Sequence, residues 1–129
     1  MAKDAVVVVC TCSGDCPGMA GMNFIELSER LRLETRVQVL AFHPHLCDES
    51  GINLLHDIVK PDRYHIVAAC SDEVQGNGLR EGFTAGVVPM DEAHYKPLNM
   101  IGKSVSQIID EIRIALQQAG FDQPVMHNA

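Results

Sequence analysis

The stretch that decides the fold is Ala5 to Cys10, AVVVVC, a run rich in β-branched residues. The run is too short for a helix, and its apolar residues follow one another without the alternation of a half-exposed strand. An unbroken run of this kind is typical of a central parallel strand that is covered on both faces. We therefore predict a parallel sheet with helices on its two faces.

Three further segments extend this pattern along the chain. Arg36 to Phe42 (RVQVLAF), Tyr64 to Cys70 (YHIVAAC) and Thr84 to Met90 (TAGVVPM) are predicted as strands two to four. Helical segments separate them, and alternating strands and helices imply a parallel sheet with right-handed crossovers. We predict an α/β fold in which residues 1–129 form a single three-layer domain. Its mostly parallel four-stranded sheet carries helices on both faces, in a flavodoxin-like or Rossmann-like topology.

Three amphipathic segments are predicted as helices. The first is capped by Asn23, and the second is capped by Ser50 or Asn53 and terminated by Pro61. The first helix turns four apolar residues inward: Phe24, Ile25, Leu27 and Leu31. The last helix has the clearest apolar stripe, which comprises Val105, Ile108, Ile109, Ile112, Leu116 and Ala119. Gly120 is the predicted stop of this helix.

Composition and charge exclude several classes of function. The 129 residues are 47% apolar and 21% charged, which is enough for one hydrophobic core. Ten basic residues stand against seventeen acidic ones, and a net charge of −7 argues against nucleic-acid binding, which needs a basic surface. No apolar run approaches the roughly 20 residues of a membrane span. We expect a cytoplasmic protein that does not insert into membranes.

Five cysteines are the candidate functional residues. An odd number of cysteines in a reducing compartment does not suit a disulfide framework. In the predicted sheet all five lie at or beyond the carboxyl ends of parallel strands, which is the edge where α/β proteins bind ligands. Soft thiolates that meet at such an edge favour zinc, copper(I) or an iron–sulfur cluster. The candidate ligands are Cys10, Cys12, Cys16, Cys47 and Cys70.

The spacing of the cysteines leaves the metal open. A structural zinc site usually has two short cysteine knuckles, and this sequence has no such pair, whereas iron–sulfur clusters take ligands from several loops. Buried, inert thiols are the alternative without a metal. His43 and His45 lie close to Cys47, and His94 lies in the later segment DEAHYKP, so these histidines are further ligand candidates.

Three motifs carry a resemblance to a known family. VVVVCTCSG, LCDESG and IVAACSDE, in this order, resemble the N-terminal iron–sulfur domain of the flavin-containing heterodisulfide reductase subunit over most of the chain. That family has a strand ending in Cys-x-Cys-Gly, a second cysteine followed by a small polar residue, and a third strand ending in Ala-Cys-Ser-Pro. The resemblance implies a 4Fe-4S cluster and electron transfer in a flavin-based complex from anaerobes. The matched positions are Cys10, Cys12, Cys47 and Cys70.

The sequence departs from the family at several positions. Ser13 stands where the family has glycine, and Asp72 replaces the proline after the third-strand Cys-Ser. A further family cysteine, near a Cys-Ser-Trp-Val-His stretch, is missing. Cys16, which lies outside the family pattern, is therefore an alternative ligand to Cys10 or Cys12. We expect the chain to lack the flavin domain of the family and to work within a larger assembly.

The predicted function is electron transfer without bond chemistry of its own. We expect a 4Fe-4S protein within an anaerobic oxidoreductase complex related to heterodisulfide reductase, with flavin or iron–sulfur subunits as partners. One alternative is a zinc-bound or cofactor-free interaction module. Another is a carrier or maturation platform for the metallocluster of a second enzyme.

Other cysteine and glycine chemistries fit less well. The sequence lacks the Cys-x5-Arg of phosphatases at Cys10, Cys12 and Cys70, and it has no Cys-x-x-Cys of dithiol oxidoreductases. The glycines from Gly76 to Gly82 have the wrong spacing and position for a dinucleotide fingerprint. A flavin phosphate in the first loop is a further alternative, although no aromatic residue nearby would stack on the ring.

Overall fold

The computed structural model describes residues 2–12, 21–46, 48–70 and 79–124. In this part of the chain the elements are β1 (Asp4–Cys10), α1 (Phe24–Glu34), β2 (Val39–His43), α2 (Glu49–Ile58), β3 (Arg63–Ala69), α3 (Arg80–Ala85), β4 (Tyr95–Asn99) and α4 (Val105–Gln118). The strands form one sheet in the order β2-β1-β3-β4, and every neighbouring pair is parallel. The predicted α/β fold with a four-stranded parallel sheet is confirmed.

The burial of β1 explains its unbroken apolar sequence. Val7 and Val9 contact the core under α1 and α4, whereas Val6 and Val8 contact the core under α2 and α3. All four side chains are fully buried. Because successive side chains of a strand point to opposite faces, a strand covered on both faces needs an apolar residue at every position.

The first helix begins where the sequence predicted but buries a narrower face. The side chain of Asn23 accepts a hydrogen bond from the backbone N–H of Glu26 at 3.0 Å, so the predicted cap is confirmed. Leu27 and Leu31 are buried, but Ile25 is 75% exposed, and its predicted inward orientation is wrong. Ile25 precedes Leu27 by two residues, which places it about 200° away around the helix.

The second helix begins earlier than its predicted caps. Its cap is Asp48, whose carboxylate accepts hydrogen bonds from the Gly51 N–H at 3.0 Å and the Ser50 hydroxyl at 2.7 Å. The predicted caps Ser50 and Asn53 both lie inside the helix. An aspartate cap satisfies an otherwise unpaired N–H of the first turn, which fixes the start of α2.

The predicted fourth strand, Thr84 to Met90, is wrong. Residues Arg80–Ala85 form α3, whose Gly82 lies so close to α2 that an added Cβ would be 2.8 Å from the Leu55 Cβ. The fourth strand is Tyr95–Asn99 (YKPLN). Lysine and proline interrupt its apolar pattern, and both are tolerated because β4 is an edge strand. Residues 91–94 therefore precede a strand instead of following one.

The final helix confirms its predicted apolar stripe. Ser104 and Gln107 form a reciprocal capping box at its start, and Gly120 has a φ of +91° just beyond its end. The buried residues of α4 are Ile108, Ile109, Ile112, Ala115 and Leu116. Within the described residues, none of the helices has the length and apolar character needed to span a membrane.

Candidate functional site

The strand order creates a switch point between β1 and β3. The chain leaves β1 toward β2 on one side, and it leaves β3 toward β4 on the other. The helix after β1 packs on one face of the sheet, and α3 packs on the opposite face. Connections that diverge in this way leave a crevice at the carboxyl ends of the two strands, where open α/β sheets bind ligands. The ends of β1 and β3 therefore define the candidate site.

Two half-buried cysteines lie at these two strand ends. Cys70 directly follows β3, and Cys12 follows β1 by two residues. Both side chains contact the core under α1 and α4, and Cys12 also contacts the core under α2 and α3. Because β1 and β3 are direct neighbours in the sheet, the structure brings these two predicted ligands to opposite sides of the switch point.

Cys12 has an unusual backbone conformation. Its φ of +55° lies in the left-handed region, which costs a residue with a Cβ about 1–2 kcal/mol. The preceding residue is held in place, because the Thr11 N–H donates a hydrogen bond to the carbonyl of His43 at 2.9 Å. Strained residues of this kind cluster at functional sites, where their surroundings hold them in place. The sequence carried no signal for this conformation.

Cys10 differs from Cys12 and Cys70 in its face and burial. It is the last residue of β1, it is 4% exposed, and its side chain lies in the core under α2 and α3. Its Sγ accepts a hydrogen bond from the Leu46 N–H at 3.5 Å and lies 3.8 Å from the carbonyl of Pro44, toward which its S–H is directed. The thiol thereby joins the end of β1 to the connection between β2 and α2.

Two predicted ligands, Cys16 and Cys47, lie outside the described residues. The chain that leads to Cys47 is held closely against α2. An added Cβ at Gly51 would lie 2.4 Å from the carbonyl oxygen of His45 and 2.4 Å from the Leu46 Cα. Only glycine permits this approach, because both contacts are with backbone atoms. No pattern in the sequence had marked Gly51 as a determinant of the site.

Two of the candidate histidines lie at the same edge. His43 ends β2, and its Nδ1 accepts a hydrogen bond from the N–H of His45 at 3.0 Å. The pKa of the nearby Asp48 carboxyl is lowered, first by hydrogen bonds from Ser50 and Gly51 and then by the two histidines. The β2–α2 connection thus places imidazoles and a carboxylate at the end of β2, which neighbours the end of β1 in the sheet.

The third candidate histidine lies at the opposite edge. His94 precedes β4, and its Nδ1 lies 2.6 Å from the Asp91 carboxylate while its Nε2 lies 3.1 Å from the carbonyl of Pro61. The hydrogen bond with His94 is the main cause of a lowered pKa at Asp91. The sequence made His94 a candidate ligand because its segment stands where the resembled family has a further cysteine, but His94 lies at the amino end of β4, away from the strand ends that carry Cys12 and Cys70.

The donor set gives a partial fit to a metal cluster. Over residues 2–12, 21–46, 48–70 and 79–124, no three histidine, cysteine or carboxylate side chains form a group that could hold a metal ion. Cys12 and Cys70 supply two thiols of the type that iron–sulfur clusters require. A 4Fe-4S cluster is bound by four cysteines. Cys12 and Cys70 would supply two of these ligands, and other cysteines would have to supply the remaining two.

Comparisons with known proteins do not assign the chain to a family. No protein-family model matches it, and no curated protein matches its sequence. The flavodoxin-like arrangement hosts many unrelated functions, so the fold alone does not identify one. The resemblance to heterodisulfide reductase stays a prediction.

Proposed function

We propose that the protein holds one 4Fe-4S cluster at the carboxyl edge of its sheet and relays electrons between redox subunits of a larger complex. The observation that carries the proposal is the position of Cys12 and Cys70, two half-buried thiols that follow the strands on either side of the switch point. When bound, a 4Fe-4S cluster supplies one-electron redox chemistry at a potential that its surroundings set.

The residues of this chain would bind and shield the cluster. Cys12 and Cys70 would provide thiolates from neighbouring strand ends. Their contacts with the core would limit the access of water to the cluster from the side of the sheet. Cys16 and Cys47 are the sequence-based candidates for further ligands, and Cys10 belongs to the family pattern. Burial and hydrogen bonding around the sulfur atoms are the means by which such a protein tunes the potential.

The proposed setting is an anaerobic oxidoreductase complex related to heterodisulfide reductase. Reduced thiols favour the cytoplasm as its location. The partners would be flavin or iron–sulfur proteins that donate or accept electrons, and this chain would carry no catalytic residue of its own. A net charge of −7 favours docking against a positively charged surface of such a partner.

Anaerobic reconstitution with iron and sulfide tests the proposal. We expect about four iron and four sulfide per chain, broad visible absorption and an electron paramagnetic resonance signal on reduction. Cys12→Ser and Cys70→Ser should each lose most of this iron, whereas His56→Ala, at an exposed position of α2, should retain it. A colourless, iron-free protein with stoichiometric zinc would contradict electron transfer and favour a zinc-stabilised interaction module.

A transfer assay separates an electron carrier from a cluster carrier. The reconstituted protein is incubated with a metal-free ferredoxin, and the iron content of each protein is measured after separation. We expect the cluster to remain on this chain, because a relay needs a resident centre. Rapid and complete transfer to the acceptor would contradict the relay and favour a maturation platform.

A further inference from the structure

We infer that Cys10 is a positioning residue whose thiol holds the β2–α2 connection at the site, and that it leaves cluster binding to the other cysteines. The structural half of this inference depends on the contacts of Cys10 in the folded protein. The half that concerns cluster binding rests on the proposed function. Its test therefore includes a measurement on the metal-free protein.

The direction of the Cys10 side chain separates it from the candidate ligands. Side chains alternate along a strand, so Cys10 shares the face of Val6 and Val8 and lies in the core under α2 and α3. Cys12 and Cys70 both contact the core under α1 and α4, where Cys10 does not lie, and Cys12 also reaches the core that contains Cys10. Cys10 is also 4% exposed, whereas Cys12 and Cys70 are half-buried. A cluster bound by all three would have to reach a sulfur atom enclosed in the core.

The sulfur of Cys10 already has two partners. It accepts the Leu46 N–H at 3.5 Å, and its S–H is directed at the carbonyl of Pro44 at 3.8 Å. Leu46 is 2% exposed, so loss of the sulfur would leave a buried N–H without its acceptor. The two contacts therefore give the Cys10 sulfur a structural role at the connection between β2 and α2.

The hydrogen bond between Leu46 and Cys10 matters to the site because it holds the β2–α2 connection in place. Leu46 immediately precedes the candidate ligand Cys47, and Asp48 on the other side caps α2. The backbone of Leu46 is held from one direction by Cys10 and from the other by the close approach of Gly51. Cys10 thus positions the backbone of Leu46, the residue that precedes Cys47 in the sequence.

The test uses two substitutions of Cys10 and one matched ligand control. Cys10→Ser retains a hydroxyl that can accept from the Leu46 N–H and donate to the Pro44 carbonyl. Cys10→Val fills the apolar position but makes neither hydrogen bond. Cys70→Ser is the control for loss of a ligand. Amide exchange by nuclear magnetic resonance, iron and sulfide content, and the paramagnetic resonance spectrum of the reduced protein are measured for each.

In the metal-free protein we expect the exchange rate of the Leu46 amide to rise about fivefold in Cys10→Val, the factor for one hydrogen bond of ordinary net strength. Cys10→Ser should keep that rate within about twofold of the original. After reconstitution, Cys10→Ser should match the original protein in iron content and spectrum. Cys10→Val should retain iron with a changed spectrum, and Cys70→Ser should lose it.

Three results would overturn the inference. One is loss of iron in both Cys10 variants to the level of Cys70→Ser, and another is an unchanged Leu46 exchange rate in Cys10→Val. The third is alkylation of Cys10 in the folded, metal-free protein as fast as that of Cys12 and Cys70, where burial predicts a rate at least about tenfold lower. If the original protein binds no iron, the proposed function fails, while Leu46 exchange and alkylation still decide the role of Cys10. If Cys10→Val does not fold, the alkylation rate of Cys10 in the original protein and the iron content of Cys10→Ser still decide the inference.

Discussion

At the amino end of the sheet a buried histidine joins two connections, whereas at the carboxyl end two cysteines follow the strands as half-buried thiols. His65 is 1% exposed, its Nε2 accepts the Lys60 N–H at 3.2 Å, and its Nδ1 donates to the carbonyl of His94 at 2.8 Å. Its ring and that of Phe83 form a T-shaped contact at a centroid distance of 5.3 Å. Every polar atom of this ring is paired, which is what a buried polar group requires.

The carboxyl end of the sheet carries more exposed side chains than His65. Cys12 holds a left-handed backbone conformation, and the half-buried sulfur atoms of Cys12 and Cys70 occupy the strand ends. If the proposed function holds, the amino end of the sheet stabilises the fold and the carboxyl end binds the cluster. Substitutions at the amino end should therefore change the free energy of unfolding, and those at the carboxyl end should change metal content.

The largest expected effect on stability is that of His65→Ala. The change opens a cavity beside Phe83 and leaves the Lys60 N–H and the His94 carbonyl without their side-chain partner, so we expect a loss of about 2–4 kcal/mol in the free energy of unfolding. Urea denaturation of the metal-free protein measures this loss. The exposed His56→Ala is the matched control and should change stability by less than about 0.5 kcal/mol.

The same variant checks whether the two ends are independent. Iron content per folded chain after reconstitution should be equal in His65→Ala and in the original protein at a temperature where both are folded. A fall in iron content comparable with that of Cys70→Ser would show that the amino end also affects the cysteines at the carboxyl ends of the strands. The two ends would then not be independent.

A smaller change in stability is expected when glycine replaces either residue with a φ of +55°, Cys12 or Val87. Val87 is 84% exposed, so Val87→Gly should relieve strain with little loss of contact and stabilise the metal-free protein by about 0.5–1 kcal/mol. Cys12→Gly relieves similar strain but loses apolar contacts, so its gain should be smaller. Thermal unfolding measures both, and only Cys12→Gly should lower iron content. Equal iron content in the two variants would remove Cys12 from the ligand set.

The smallest expected effect is the loss of unfolding free energy in mild acid that comes from protonation of His65. Burial is the main cause of a lowered pKa at His65, and the charges of Arg63 and His94 add to it, against an opposing hydrogen bond to the His94 carbonyl. The folded-state pKa therefore lies below the unfolded value of 6.5, and the unfolded chain takes up the proton first as the pH falls. The contribution of His65 is complete above about pH 6.5 and declines as the pH is lowered through its folded-state pKa.

Urea denaturation between about pH 7 and pH 5 measures this decline, and His65→Gln provides the comparison because glutamine does not titrate. The original protein should lose more stability over this interval than the variant does. Equal losses would mean that protonation of His65 does not contribute, and that the acid sensitivity comes from other groups.

Much of the fold could be predicted because its central strands have sequences that permit few alternatives. β1 and the apolar part of β3 are buried on both faces, so burial alone dictates a continuous apolar run. The edge strand β4 was not predicted because an edge strand tolerates residues such as Lys96 and Pro97, so its sequence has no continuous apolar run. The apolar residues near Val88 then suggested a strand, although Val88 packs against the core from a turn after α3.

The candidate site was predictable in its location and not in its detail. Parallel strands bring their carboxyl ends to one edge, so the positions of Cys12 and Cys70 followed once β1 and β3 were identified. The left-handed conformation of Cys12 depends on how the chain turns beyond β1, which local sequence does not determine. The partners of Cys10 come from a connection more than thirty residues away, and only the folded chain brings them together.

The parallel sheet also has an electrostatic consequence for its carboxyl edge. Each helix returns against the direction of the strands, so α1, α2 and α4 begin on the side where the strands end, with their caps at Asn23, Asp48 and Ser104. A helix start carries roughly half a positive elementary charge, from aligned peptide dipoles. An acidic chain therefore presents an edge at which three helix starts favour negatively charged groups.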